Sequence, residues 1–216
     1  MEPLPHAMLE TAPPPAGRGA LVYAGDSGIK GRFVVVNPDA SLEMLRQAFA
    51  GGATGIALTG CRTGADIQRL AVLLSVAEAE ENLAEGSTPI LAITDGILPA
   101  PVSPQGFSGK TTRLAGLVWD QRGLVKTLGV EPTRTESGEC PPTFAAARAA
   151  VLLTAAAACI PAYDSASDLA GELFLADCDR SRDDGFFGRL ASDPAQMAII
   201  QTVYAGGRGS SGQARG

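Results

Sequence analysis

Histidine is almost missing from this chain: His6 is the only one in 216 residues, and it falls in a Pro-rich N-terminal stretch. A Ser-His-Asp or Cys-His nucleophile and a histidine-ligated zinc centre are therefore excluded from the body of the protein. Close cysteine pairs are missing too. Cys61, Cys140, Cys159 and Cys178 lack the spacing of a zinc or redox motif and read as structural thiols in a reducing compartment. Positive charge is scarce, with 17 Lys and Arg against 23 Asp and Glu, a net charge of −6 and a pI near 4.8. Such a chain has no basic face for nucleic acid or anionic lipid. No run reaches the roughly 18 to 20 apolar residues of a membrane span, and the N-terminus lacks the sections of a signal peptide. A cytoplasmic protein with no nucleic-acid or membrane partner is expected.

What is there is a chain that is 45% hydrophobic, enough to bury one core and form a single domain. Residues 1–18 carry five prolines and residues 206–216 read GGRGSSGQARG, so mobile tails are expected at both ends, around a structured body at 19–205. Inside it, seven short apolar runs read as strands: 19–25, 32–37, 55–60, 89–95, 114–120, 160–164 and 185–192. Helical patterns alternate with them. SLEMLRQAFAGG starts at a Ser cap and stops at glycine, and ADIQRLAVLLSVAEAEENLAEG stops at Gly86. The Ala-rich stretch 143–159 is apolar nearly all round and reads as a helix buried between neighbours. Asp193 and Pro194 supply a cap and an N1 proline for a last helix. The alternation predicts βα units and a mainly parallel sheet.

Asp26, Asp39, Asp95, Asp120 and Asp164 each follow an apolar run within two residues, and Asp193 follows the last. In parallel α/β folds the strand C-termini share one ligand-binding face, where carboxylates can converge on a hard cation such as Mg²⁺. Aspartate after a strand is equally a helix cap or turn residue, so either role stands for each. GFSGKTT at 106–112 lacks the first glycine of a phosphate-binding loop, having Pro104 there, and leads into a strand, so it is rejected. Arg148 and Arg189 are candidate anion contacts.

The order of features in LAGLVWDQRGLVKTLG, then AARAAVLLTAAAACIPAYD, then GFFGRLASDPAQM resembles the citrate lyase beta-subunit-like branch of the HpcH/HpaI aldolase family. RFVVVNP, GGATGIALTGCRTGADI and PILAITDG fit its preceding strands. The resemblance implies a TIM-barrel-like (β/α)₈ fold of the phosphoenolpyruvate/pyruvate superfamily. It also implies a trimeric or hexameric assembly, and a Mg²⁺ that stabilises enolate charge while carbon–carbon bonds of acyl-CoA esters or 2-oxo acids are made or broken. By the same resemblance the metal ligands map to Asp95 and to Gly123, which has no carboxylate; Asp120, three residues earlier at the strand end, substitutes as the second ligand only if the local loop is rearranged.

The departures fall on working positions. Asp95 replaces a glutamate, Gly123 a carboxylate, Val35 an arginine, Thr59-Gly60 a Pro-Lys pair, and Asp193 a histidine. The first two βα units have only residues 1–31 in their place, and AGDSGIKGR is too short for a crossover helix, so a barrel incomplete at its N-terminal strands is expected. Two readings follow. One is a divergent Mg²⁺-dependent lyase of reduced or altered activity, acting on a hydroxyacyl-CoA or 2-oxo acid. The other is an inactive structural or regulatory subunit of an active relative. The sequence assigns no catalytic or substrate-binding residue.

Overall fold

The computed structural model describes residues 4–11, 19–25, 28–130 and 140–206. Eight strands close into a barrel in chain order: β1 (Ala7–Thr11), β2 (Ala20–Gly25), β3 (Gly28–Val36), β4 (Gly55–Leu58), β5 (Ile90–Thr94), β6 (Leu114–Trp119), β7 (Ala162–Asp164) and β8 (Gly188–Ala191). Six helices cover the wall: α1 (Leu42–Ala50), α2 (Gly64–Glu80), α3 (Gln121–Leu128), α4 (Pro142–Ala157), α5 (Gly171–Asp183) and α6 (Pro194–Ala205). The expected TIM-barrel-like fold is present. Its departure from the regular pattern lies in strand direction and missing helices, and the strand number is the full eight.

The reversal of strand direction is confined to the N-terminal third. β2 runs antiparallel to both β1 and β3, while β3 to β8 pair in parallel and β8 pairs in parallel with β1. A three-strand meander thus stands where two βα units would, which is why AGDSGIKGR needs no crossover helix. Asp26 lies outside the described residues. The tail expected over 1–18 is corrected at Ala7–Thr11: the run AML has fully buried Ala7 and Met8, and Met8 pairs with Leu190 to close the barrel. Five prolines masked a strand of ordinary apolar character. His6 is also packed, its Nδ1 lying 2.5 Å from the Phe187 carbonyl, at the end of the barrel where β1 and β8 begin. Gly188 leaves no room for a Cβ there against the His6 backbone. The C-terminal tail expected at 206–216 falls, beyond Gly206, outside the described residues.

Strand alternation divides the core in two. Met8, Leu21, Phe33, Leu91, Ile93, Val118, Tyr163 and Leu190 fill the barrel. Their neighbours Ile56, Ile90, Ala92, Leu117 and Trp119 face outward onto Leu70, Leu74, Val151, Phe174 and Ile200 of the helices. This inside-outside period of two is what a closed barrel imposes on every strand. Helix starts follow the expected caps: Ser41 accepts from Met44 N, and Asp193 accepts from Ala195 N at 2.7 Å. α4 is less enclosed than its composition predicts, since Leu153 is 63% exposed. α2 is fastened by a buried ion pair, with Arg113 donating to both oxygens of Glu78 at 2.6 and 2.7 Å. The rejected loop GFSGKTT lies in the helix-free connection from β5 to β6, where Lys110 Nζ donates to the Pro104 carbonyl.

Candidate functional site at the barrel mouth

The ends of β1 and β3 to β8, and the start of β2, open on a cavity of about 440 Å³. Its floor is the inner core: Leu21, Val35, Ile93, Val118 and Leu190. Its rim is polar and contains Glu10, Thr59, Asp120, Arg122, Ser165 and Ser192. An apolar floor with a few convergent polar groups is the usual form of a small-molecule site, and the mouth is where barrels bind ligands.

The rim is organised by Arg122 at the start of α3. Its Nη1 donates to Glu10 Oε2 at 2.9 Å and its Nη2 reaches Asp168 Oδ1 at 3.4 Å. Glu10 lies near the end of strand β1, and burial raises its carboxyl above the usual range. Arg122 opposes that rise, and the charges of Asp120 and Asp168 add to it. Glu10 escaped sequence reasoning because its strand was hidden among prolines. The only signal was the apolar AML before it.

Asp120 reaches the mouth as the N-cap of α3, its Oδ1 accepting from Gly123 N at 2.8 Å. A Cβ at Gly123 would stand 2.5 Å from Asp120 Oδ2. The Asp120 carboxylate thus lies against the position of a Cβ at 123.

Asp95 ends the neighbouring strand but does not line the cavity. Its side chain, 8% exposed, accepts from Arg62 Nη2 at 2.5 Å, from the Thr127 hydroxyl at 3.1 Å and from Ile97 N at 3.1 Å. Burial works against its charged form, but Arg62, Ile97 N and Thr127 outweigh it and hold the carboxyl below its ordinary value. Both oxygens are engaged, one of them by a cation. A divalent ion held directly by Asp95 and Asp120 does not fit this donor set, since Mg²⁺ would have to share the carboxylate with a guanidinium. Among the described residues no group of three or more His, Cys, Asp or Glu side chains is placed to hold a metal.

The other strand-end aspartates do not converge. Asp164 faces outward into an ion pair with Arg148 at 2.7 Å, Asp193 caps α6, and Asp39 lies in an exposed turn. Among the described residues of the expected acidic face, Asp120 alone lines the mouth cavity, joined by the unforeseen Glu10.

No family model and no curated protein matches this chain. Solved structures do match in fold. RipC from Yersinia pestis superposes with a TM-score of 0.58 at 21% identity, over 79% of this chain and 74% of that one. The citrate lyase beta subunit from M. tuberculosis, solved with oxaloacetate and magnesium, gives 0.61 at 19% identity, over 80% and 72%. A citrate lyase from Burkholderia xenovorans gives 0.62 at 15% identity, over 80% and 57%. This chain shares their barrel fold.

Proposed function

We propose that this protein is a citrate lyase beta-like barrel that keeps a small-molecule cavity at its mouth but has lost Mg²⁺-dependent carbon–carbon lyase chemistry, acting as a structural or regulatory subunit. The observation that carries this reading is the Arg62–Asp95 ion pair. It places a cation on the carboxylate that, by resemblance, would hold the metal. Arg62 neutralises Asp95 as a metal would, yet a guanidinium has no open coordination position to offer a keto oxygen. Val35 and Thr59, which line the cavity, provide no cation for a substrate carboxylate.

A second reading is favoured by one observation, that Asp120 Oδ2 stands 2.5 Å from where a Cβ at 123 would lie. Here the protein is a divergent lyase on a hydroxyacyl-CoA or 2-oxo acid. Arg62, whose side chain is 47% exposed, would swing away and leave Asp95 and Asp120 to bind Mg²⁺, whose role would be to stabilise enolate charge. Under either reading the protein works in the cytoplasm and assembles as a trimer or hexamer, with itself or with an active relative. No helix among the described residues is long and apolar enough to cross a membrane.

The purified chain, assayed with Mg²⁺ or Mn²⁺ against a panel of hydroxyacyl-CoA esters and 2-oxo acids, decides between them. We expect no metal-dependent release of product and co-purification with a related barrel subunit. Metal-dependent turnover by the isolated chain, abolished in Asp95→Asn, would overturn the first reading in favour of the second.

A further inference from the structure

A second cavity, of about 630 Å³, lies outside the barrel wall between α4 and α5. It is lined by the outward side chains of three neighbouring strands, Trp119 on β6, Asp164 on β7 and Arg189 on β8. The residues next to them, Val118, Tyr163 and Leu190, point into the barrel. The layer between a barrel and its helices is ordinarily apolar. Here it holds three arginines and three aspartates.

Their pairing leaves donors in surplus. Arg148 binds Asp164 at 2.7 Å and also Asp184. Arg189 Nη2 binds Asp177 at 2.7 Å, and Arg180 reaches the same carboxylate at 3.3 Å. Ser181 adds a hydroxyl to Asp164 at 2.6 Å. Every one of these carboxylates already accepts from a guanidinium. Three buried N–H groups on the same wall have no acceptor among the described residues: Trp119 Nε1, and Nε and Nη1 of Arg189. Both side chains are 2% exposed, and the Arg189 guanidinium is steadied 5.1 Å above the Phe174 ring. Buried donors are seldom left without acceptors in folded proteins. In this wall the unmatched atoms are all donors.

We propose that the cavity between α4 and α5 is a ligand site separate from the mouth, taking a small molecule that carries a carboxylate or a singly charged phosphate. Its oxygens supply the acceptors that Trp119 and Arg189 lack, after small shifts of the wall, and it enters past Arg180, whose side chain is 46% exposed. Because the lining charges balance, recognition rests on directed donors, and a monoanion is favoured over a dianion that would bring uncompensated charge into a buried space. The site stands whether or not the mouth is catalytic.

Trp119 is the chain's only tryptophan and lines both this wall and the mouth cavity, so its fluorescence reports on both, and variants at each site separate them. The full chain is titrated with acetate and with inorganic phosphate at constant ionic strength, using chloride as the reference anion. We expect a saturable change in emission with half-saturation below about 50 mM for at least one of them. Which anion saturates identifies the ligand's charged group. Arg180→Gln is expected to weaken the response about tenfold, as for loss of one charge-assisted hydrogen bond. Arg122→Gln, at the mouth, should leave it unchanged. Absence of saturation by either anion in the folded wild-type chain overturns the proposal, and so does weakening by Arg122→Gln without weakening by Arg180→Gln.

Discussion

Arg62 holds Asp95 at 2.5 Å, on the strand end where a barrel of this kind would present a carboxylate to its ligand. The pair is asymmetric, with the Arg62 side chain 47% exposed and that of Asp95 8% exposed. Removing the arginine therefore uncovers a nearly buried carboxylate and leaves the rest of the mouth intact.

Arg62→Ala is expected to destabilise the protein by about 1 kcal/mol, the exposed half of the pair being well screened. It should also raise the Asp95 carboxyl toward its ordinary value. The sharper outcome concerns metal. At ~10 mM Mg²⁺ the wild-type midpoint of thermal unfolding should not move, whereas Arg62→Ala should gain a Mg²⁺-dependent rise. Adding Asp95→Asn to that variant should abolish the gain. Differential scanning fluorimetry checks all three proteins.

The Glu78–Arg113 pair makes stability depend on acid. Burial alone would raise the Glu78 carboxyl, but hydrogen bonds from Arg113, Thr88 and Gly86 N pull it down from 4.5 to about 2. A carboxyl whose folded value is depressed stabilises the fold fully above its unfolded value and loses that contribution as pH falls toward the folded value. The unfolding free energy from urea titrations should thus decline between about pH 5 and pH 2, by up to about 3 kcal/mol from this group. Glu78→Gln should flatten that part of the profile. It should also cost ~3 to 5 kcal/mol at pH 7, because it strands a buried guanidinium.

β1 is expected to be indispensable despite its Pro-rich setting. Met8 is fully buried inside the barrel, and Met8→Ala should cost about 2 to 5 kcal/mol by denaturant unfolding. Deleting residues 1–11 removes the strand that joins β2 to β8 and leaves two open edges. Light scattering should show that truncated chain aggregating. A monodisperse, cooperatively folding truncation would mean that residues 7–11 are dispensable.

The parallel part of the barrel was legible because each of its strands is a compact apolar run bounded by a cap or a glycine. Ser41, Gly51 and Asp193 marked helix ends by local chemistry alone. β1 was hidden because its neutral flanks, Pro3 and Pro5 before and Pro13 to Pro15 after, carry the composition of a mobile tail. Its strand character depends on pairing with a segment at the other end of the chain. The site was harder to read for a similar reason. Aspartates after strands are visible in sequence, but nothing local says that Arg62 turns to Asp95, that Asp164 faces outward to Arg148, or that Glu10 arrives at Asp120's side. Those outcomes follow from strand phase and barrel closure, which act over the whole fold.

The seam between β1 and β8 has a further consequence, in time. Met8 pairs with Leu190, so nearly the whole chain separates the two halves of one ladder. During synthesis, β1 can pair with β2 at once, but its other edge waits until the last strand has left the ribosome. Closure of such a remote contact is slow, and for that interval the nascent chain carries an unpaired edge exposed to other chains. The barrel's final strand therefore also ends the chain's most association-prone period.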